Sequence, residues 1–383
     1  METQKLFYLD AHQQTFSAQV LACVPGRHGY DVVLDKTCFY PEGGGQPGDT
    51  GFLSGARVTD THARGEQIIH YCEQPLQPGQ TVEGQIDYAR RFSFMQLHSG
   101  EHILSGLIHE RFGYENVGFH MGADFVTIDF SGPLEMEQVE AVEAAANEIV
   151  WRDVPIAVTY PDAETLKTIP YRSKKELTGP VRIVTIPGAD ICACCGTHVA
   201  RTGEIGLIKV FSCVKFHEGV RMEILCGRRA FAYLHEIAAQ NRQVSGLLSA
   251  KPLQTAQAVR QLLEKQEAYK ARAAALETQV FAQTAQTCAG KGNVLLFEQP
   301  MAPESVRRLA DAVMHTCGGR AAVFAGTDAG GYQYAVGESD GDLRQLVKAL
   351  NTQLRGRGGG KPFFAQGSVQ ASKAEIEAFF DAN

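Results

Sequence analysis

Two short runs of metal-binding side chains constrain this chain most: His98-Ser99-Gly100-Glu101-His102 and Cys192-Ala193-Cys194-Cys195-Gly196-Thr197-His198. They lie far apart in sequence, so a fold that uses both must bring them together. On a helix, His98 and His102 share one face a turn apart, which suits two ligands of one ion. In the second run, a thiol and an imidazole sit in a Gly-containing turn that can bend round a cation. Cys194 stands four residues before His198 and mirrors the His pair. Sulfur with imidazole favours zinc over calcium or magnesium. The expectation is one zinc ion per chain, held by His98, His102, Cys194 and His198. Cys195 is an alternative to Cys194, and Cys192 is either a spare thiol or a core residue.

The hydrophobic patterning divides the chain. Residues 1–88 alternate in short runs, such as Asp31-Val32-Val33-Leu34 and Ala56-Arg57-Val58-Thr59, between Gly, Pro and Asp turns. That predicts a small β-barrel or β-sandwich domain. Residues 89–240 read as α+β, with helices near Arg91–Phe112 and Glu135–Trp151 and strands at 126–130, 156–159, 181–184, 205–210 and 222–225. Residues 241–288 form a helical or coiled-coil linker, in which Leu262, Gln266, Tyr269, Ala273, Leu276 and Val280 recur in steps of four and three. Residues 289–383 read as a small α/β domain.

A net charge of -7 argues against bulk, non-specific nucleic-acid binding and leaves room for a local basic groove. No DNA or membrane partner is expected. No apolar run approaches the ~20 residues of a membrane span, and the N-terminus lacks a secretion signal, so a cytoplasmic location is expected. In that setting the Cys192–Cys195 group reads as metal-binding or catalytic rather than as a disulfide framework.

Two glycine-rich elements stand out. In Phe39-to-Gly51, the glycines Gly43, Gly44 and Gly45 allow close backbone approach to a ligand, and Gln46 supplies donors and acceptors. In the second, Arg355, Arg357, Gly358, Gly359, Gly360 and Lys361 follow a helix. Exposed amides beside those cations suit a phosphate, although Pro362 after Lys361 excludes a nucleotide P-loop. His98-to-His102 also fits the H-x-x-E-H pattern of a zinc peptidase, with Glu101 as general base. The Cys-Cys-Gly-Thr-His turn counts against that reading, because a thiolate ligand lowers the Lewis acidity that peptide hydrolysis needs.

Taken in order, these motifs resemble the editing half of alanyl-tRNA synthetase and its free-standing relatives, the AlaX proteins. The residues concerned are the Phe39-to-Gly51 segment, the His pair, Cys194-to-His198, Gly219-Val220-Arg221-Met222-Glu223 and Arg357-to-Pro362. The layout is similar to the long form of AlaX. The resemblance implies a β-barrel followed by an editing fold shared with threonyl-tRNA synthetase, and a C-terminal DHH-associated domain. It implies hydrolysis of mischarged tRNA(Ala), chiefly Ser-tRNA(Ala) and secondarily Gly-tRNA(Ala). It places the four zinc ligands on His98, His102, Cys194 and His198. Gln46 and Glu101 are the candidate catalytic groups. Gly43, Gly44, Gly45 and Thr197 are candidates for the aminoacyl group, and Lys215 and Arg221 for the acceptor end. The Arg355-to-Lys361 segment would bind tRNA. A homodimer through the linker or C-terminal domain is a further expectation. The chain begins at the editing region, so no aminoacylation is expected. Synthetases often carry Ser-Ala-Thr between the two His residues, where this chain has Ser99-Gly100-Glu101. The remaining alternative is a non-catalytic tRNA-binding protein stabilised by zinc.

Overall fold

In the computed structural model, which describes residues 2–27, 29–173 and 180–383, the chain forms two compact units, Met1–Arg242 and Gln243–Asn383. The fold is mixed α and β throughout. No helix among the described residues is long and apolar enough to cross a membrane.

In the first unit, six strands pair in a closed ring: Thr15–Gly26, Gly29–Leu34, Gln67–Cys72, Ala56–Arg64, Gly51–Leu53 and Thr81–Ile86. The strand Thr15–Gly26 begins with strict alternation of exposed and buried residues, the period-two pattern of a half-buried strand. Val20, Val32, Leu34, Leu53, Val58 and Val82 from these strands fill the interior.

The helix Tyr88–Phe112 follows directly. It is buried from Phe94 to Ile108 on nearly every face, as expected for a helix with no continuous polar side. Gly113, at φ 71°, ends it in a left-handed cap. Leu97, Leu104 and Ile108 share a core with Val142 and Ala146 of the helix Met136–Trp151 and with Ile128, Met222 and Ile224. The latter belong to a four-stranded antiparallel sheet, ordered Ile208–Phe216, Gly219–Cys226, Val126–Phe130, Asn116–Met121. A smaller sheet of Ala157–Thr159, Ile183–Ile186 and Asp190–Ala193 delivers the chain to the cysteine run. Arg91, wholly buried, fastens this helix to the glycine-rich loop. It donates to Asp49 from Nε at 2.9 Å, to the Ala11 carbonyl at 3.1 Å and to the Cys38 carbonyl at 2.6 Å.

Several sequence expectations shift. The strand placed at 205–210 runs from Ile208 to Phe216, and Thr202–Ile205 is a 3-10 turn. The strand placed at 181–184 is Ile183–Ile186. The helix Gly227–Leu248 and the strand Asn116–Met121 were not foreseen.

The second unit has a five-stranded sheet, ordered Gly292–Glu298, Gly318–Thr327, Gly331–Gly337, Phe364–Val369, Arg357–Lys361. The helix Thr255–Thr287 buries only Phe281 and Ala285. Leu262, Tyr269, Leu276 and Val280 on its apolar stripe are all more than half exposed. The glycine run corrects the sequence reading in one respect: Arg357–Lys361 is an edge strand rather than a loop. Its glycines serve close packing. A Cβ on Gly358 would lie 2.1 Å from the Tyr334 hydroxyl oxygen, and one on Gly360 would lie 2.2 Å from the Phe364 carbonyl oxygen.

Candidate functional site

The helix Tyr88–Phe112 presents His98 and His102 on one face, with ring centroids 5.3 Å apart. His198 packs against both, at 4.6 and 4.7 Å between centroids. Cys194 Sγ lies 3.5 Å from His98 Nε2 and 3.4 Å from His198 Nε2. One ligand atom from each of the four residues falls within 4.8 Å of all the others. The turn can approach so closely because residue 196 is glycine. A Cβ there would sit 2.0 Å from His98 Cε1.

Each imidazole is held by its other nitrogen. His98 Nδ1 meets Gln46 Oε1 at 3.0 Å, His102 Nδ1 meets Asp190 Oδ2 at 2.8 Å, and His198 Nδ1 meets Ser99 Oγ at 3.2 Å. The Gln46 amide nitrogen donates to Thr197 Oγ1 at 2.8 Å, so its oxygen faces His98 and must accept from Nδ1–H. Asp190 is acceptor-only as a carboxylate, and the same logic fixes His102. These contacts turn Nε2 inward, the arrangement in which outer partners orient metal-binding imidazoles. Arg172 braces Asp190 through two bonds of 2.8 and 2.9 Å.

Charge in the cluster is strongly coupled. Burial opposes the Cys194 thiolate, but His98, His102 and His198 outweigh it and hold the thiol well below its usual range. Burial also opposes charge on His102. The Cys194 sulfur and Asp190 overcome it and raise the imidazole well above its ordinary value. His198 is pushed down to about 3 by burial, with Cys194 only partly compensating. A thiolate among inward-facing imidazole nitrogens is a donor set suited to zinc. All four donors come from protein, with no carboxylate among them.

Three of the four, His98, His102 and Cys194, border a cavity of about 550 Å³, lined also by Gly44, Gly45, Glu101, Phe119, Arg172 and Cys195. Gly44 and Gly45, at φ 60° and 82°, are the central residues of a tight turn closed by paired backbone bonds between Gly43 and Gln46. Positive φ at both positions is what glycine permits, and this turn aims Gln46 inward. Glu101 is buried; its Oε1 accepts from Ser105 Oγ at 2.7 Å and from Asn116 Nδ2.

The other sequence candidates fall differently. Gln46 and Thr197 are wholly buried and bonded to each other, and neither lines the cavity. Lys215 and Arg221 are not among the residues lining the cavity. Arg221 is bound to Asp129 at 2.6 and 2.7 Å and lies over the Phe216 ring, a cross-strand pair within the sheet. Arg355 is held by Glu375 and the Gln370 carbonyl. Arg357 and Lys361 are exposed. Cys195 is exposed; Cys192 is buried, raised to about 11 by burial, and groups with His102 and Asp190. Asp190, Asn116 and Arg172 were missed, since no motif marks such residues, and Ser99 was given no role although it lies within the His-pair motif.

Comparison with known proteins extends these observations. Residues 4–90 match the family "tRNA synthetases class II (A)". Residues 181–221 match "Threonyl and Alanyl tRNA synthetase second additional domain". Residues 282–382 match the "DHHA1 domain". The chain is 27% identical to the alanyl-tRNA editing protein AlaX-L of Pyrococcus horikoshii, over 97% of this chain and 96% of that protein. It is 33% identical to an alanine–tRNA ligase of Pyrobaculum calidifontis, spanning 95% of this chain but only 42% of the ligase. An alanyl-tRNA editing protein of Mus musculus is 30% identical, over 66% of each chain. With three matched segments in the order of the long form and an end-to-end likeness to AlaX-L, the chain belongs to the long-form AlaX family of alanyl-tRNA editing proteins.

Proposed function

We propose that this protein is an aminoacyl-tRNA hydrolase that removes wrongly attached serine, and secondarily glycine, from tRNA(Ala). The observation that carries the reading is the cluster of His98, His102, Cys194 and His198, held from outside and opening on a cavity. The family's editing proteins support the substrate class.

One zinc ion is proposed to be held by these four residues. When bound, it supplies Lewis acidity for polarising the ester carbonyl or a water. The protein's own groups do the rest. Gln46, Asp190 and Ser99 hold the three imidazoles with Nε2 inward. The backbone of Gly44 and Gly45, with Phe119, receives the aminoacyl group. Glu101, with Oε2 3.9 Å from His102 Nε2, takes a proton from the attacking water. The water oxygen bonds to the ester carbonyl carbon, the bond to the ribose oxygen breaks, and that oxygen leaves protonated. An ester is more reactive than an amide, so a placed water and modest polarisation suffice.

The editing function is proposed to use four segments: 1–88, 89–240, 241–288 and 289–383. Arg357 and Lys361 on the exposed edge strand would contact the tRNA backbone. The uncovered stripe Leu262, Tyr269, Leu276 and Val280 supports a homodimer through this helix. A cytoplasmic site of action belongs to the same reading. The test is release of amino acid from Ser-, Gly- and Ala-tRNA(Ala). Serine release with alanine retained is the expected result; no release from any of the three contradicts it.

A further inference from the structure

Asn116 opens the strand Asn116–Met121 and is 6% exposed. Its Nδ2 donates to Ser105 Oγ at 3.0 Å and to Glu101 Oε1. Ser105 Oγ directs its own hydrogen to the same Oε1. A carboxylate oxygen only accepts, and the serine hydrogen is already engaged, so the amide must turn its NH2 edge toward both. Its orientation is therefore set by the network. Oδ1 is left on the other edge, buried and without a hydrogen-bond partner among the described residues. Such a group is rare in a folded protein, because an unmade bond in the interior costs free energy.

The residue stands beside the proposed editing site. Asn116 lines a hollow of about 370 Å³ together with Val117, Arg172, Ser173 and Cys192. Those four residues also line the cavity that holds Glu101 and the metal-binding cluster. We propose that Asn116 is the specificity-determining residue of the editing site, its Oδ1 accepting a hydrogen bond from the side-chain hydroxyl of a seryl group. This inference rests on the hydrolase reading above and deepens it. A neutral amide oxygen matches a neutral hydroxyl. A seryl group pairs the orphaned oxygen. An alanyl group sets a methyl against it and leaves it unpaired, the circumstance in which a polar site discriminates most strongly.

The test compares kcat/KM for Ser-, Gly- and Ala-tRNA(Ala) in the wild-type protein and in Asn116→Leu, which keeps the volume and removes the polar atoms. The seryl rate should fall at least tenfold while the alanyl rate holds or rises, so that the Ser/Ala ratio drops by on the order of 10-fold or more. Equal losses on all three esters would mark a structural role and overturn the proposal. A second measurement needs only the wild-type protein: binding of adenosine carrying a non-hydrolysable 3′-seryl or 3′-alanyl amide. The seryl form should bind at least tenfold tighter, and equal binding would overturn the assignment. Wild-type protein that cleaves none of the three esters would instead remove the hydrolase reading itself.

Discussion

Gln46 Oε1 accepts from His98 Nδ1 across 3.0 Å, joining a turn next to the barrel to the helix that carries the metal-binding pair. The bond fixes the ring's tautomer and aims Nε2 at Cys194. Replacing the amide with an apolar side chain of similar size should free the ring to rotate. Gln46→Leu is therefore expected to weaken zinc binding about 10–100-fold, read by competition with a chromogenic chelator. Unchanged affinity would mean that Gln46 does not position His98.

The Arg91–Asp49 pair is completely enclosed, at 0% and 2% exposure. Removing one partner leaves the other charge buried without compensation. Arg91→Leu should lower stability by about 3–5 kcal/mol, measured by urea unfolding. A cost below about 1 kcal/mol, the worth of an exposed pair, would show that the pair is not buried in solution.

These two relationships show what the sequence could and could not disclose. The His spacing and the Cys-Cys-Gly-Thr-His turn were legible because ligand chemistry restricts residue type and spacing together. The long helices were legible through their apolar residues, apart from Gly227–Leu248, which buries only Gly227 and Ala230. Gln46 was noticed within its glycine-rich segment, but its partners His98 and Thr197 lie far away in sequence. Asp190 and Asn116 carried no local signal, because their roles arise only when strands from separate stretches meet the helix. Arg357–Lys361 misled in the opposite way: glycines suggest a ligand loop, yet here they let an edge strand lie flat against Tyr334 and Phe364.

His70 is fully buried in the barrel wall, with Nε2 on Thr37 Oγ1 and Nδ1 on the Val32 carbonyl. Burial lowers its pKa from 6.5 to about 4. The unfolded chain therefore binds a proton that the folded one resists, and stability falls as pH drops from 6.5 toward 4. Between pH 7 and pH 5 the loss from this group is about 2 kcal/mol. His70→Gln should flatten that part of the stability–pH curve, followed through the fluorescence of the single tryptophan, Trp151. An unchanged slope would assign the pH dependence to other groups.

The exposed stripe on Thr255–Thr287 predicts self-association. The wild-type protein should sediment as a dimer, and Leu262→Glu combined with Leu276→Glu should sediment as a monomer while deacylation by each chain persists. A monomeric wild-type protein would refute the dimer.

The central claim is that the His98–His102–Cys194–His198 cluster performs the deacylation. Serine release from Ser-tRNA(Ala) should be measured for zinc-loaded wild-type protein and for His98→Ala, with tRNA binding followed in parallel. The account predicts rapid release by the first, none by the second, and equal tRNA binding by both. Release at the wild-type rate by His98→Ala would contradict it.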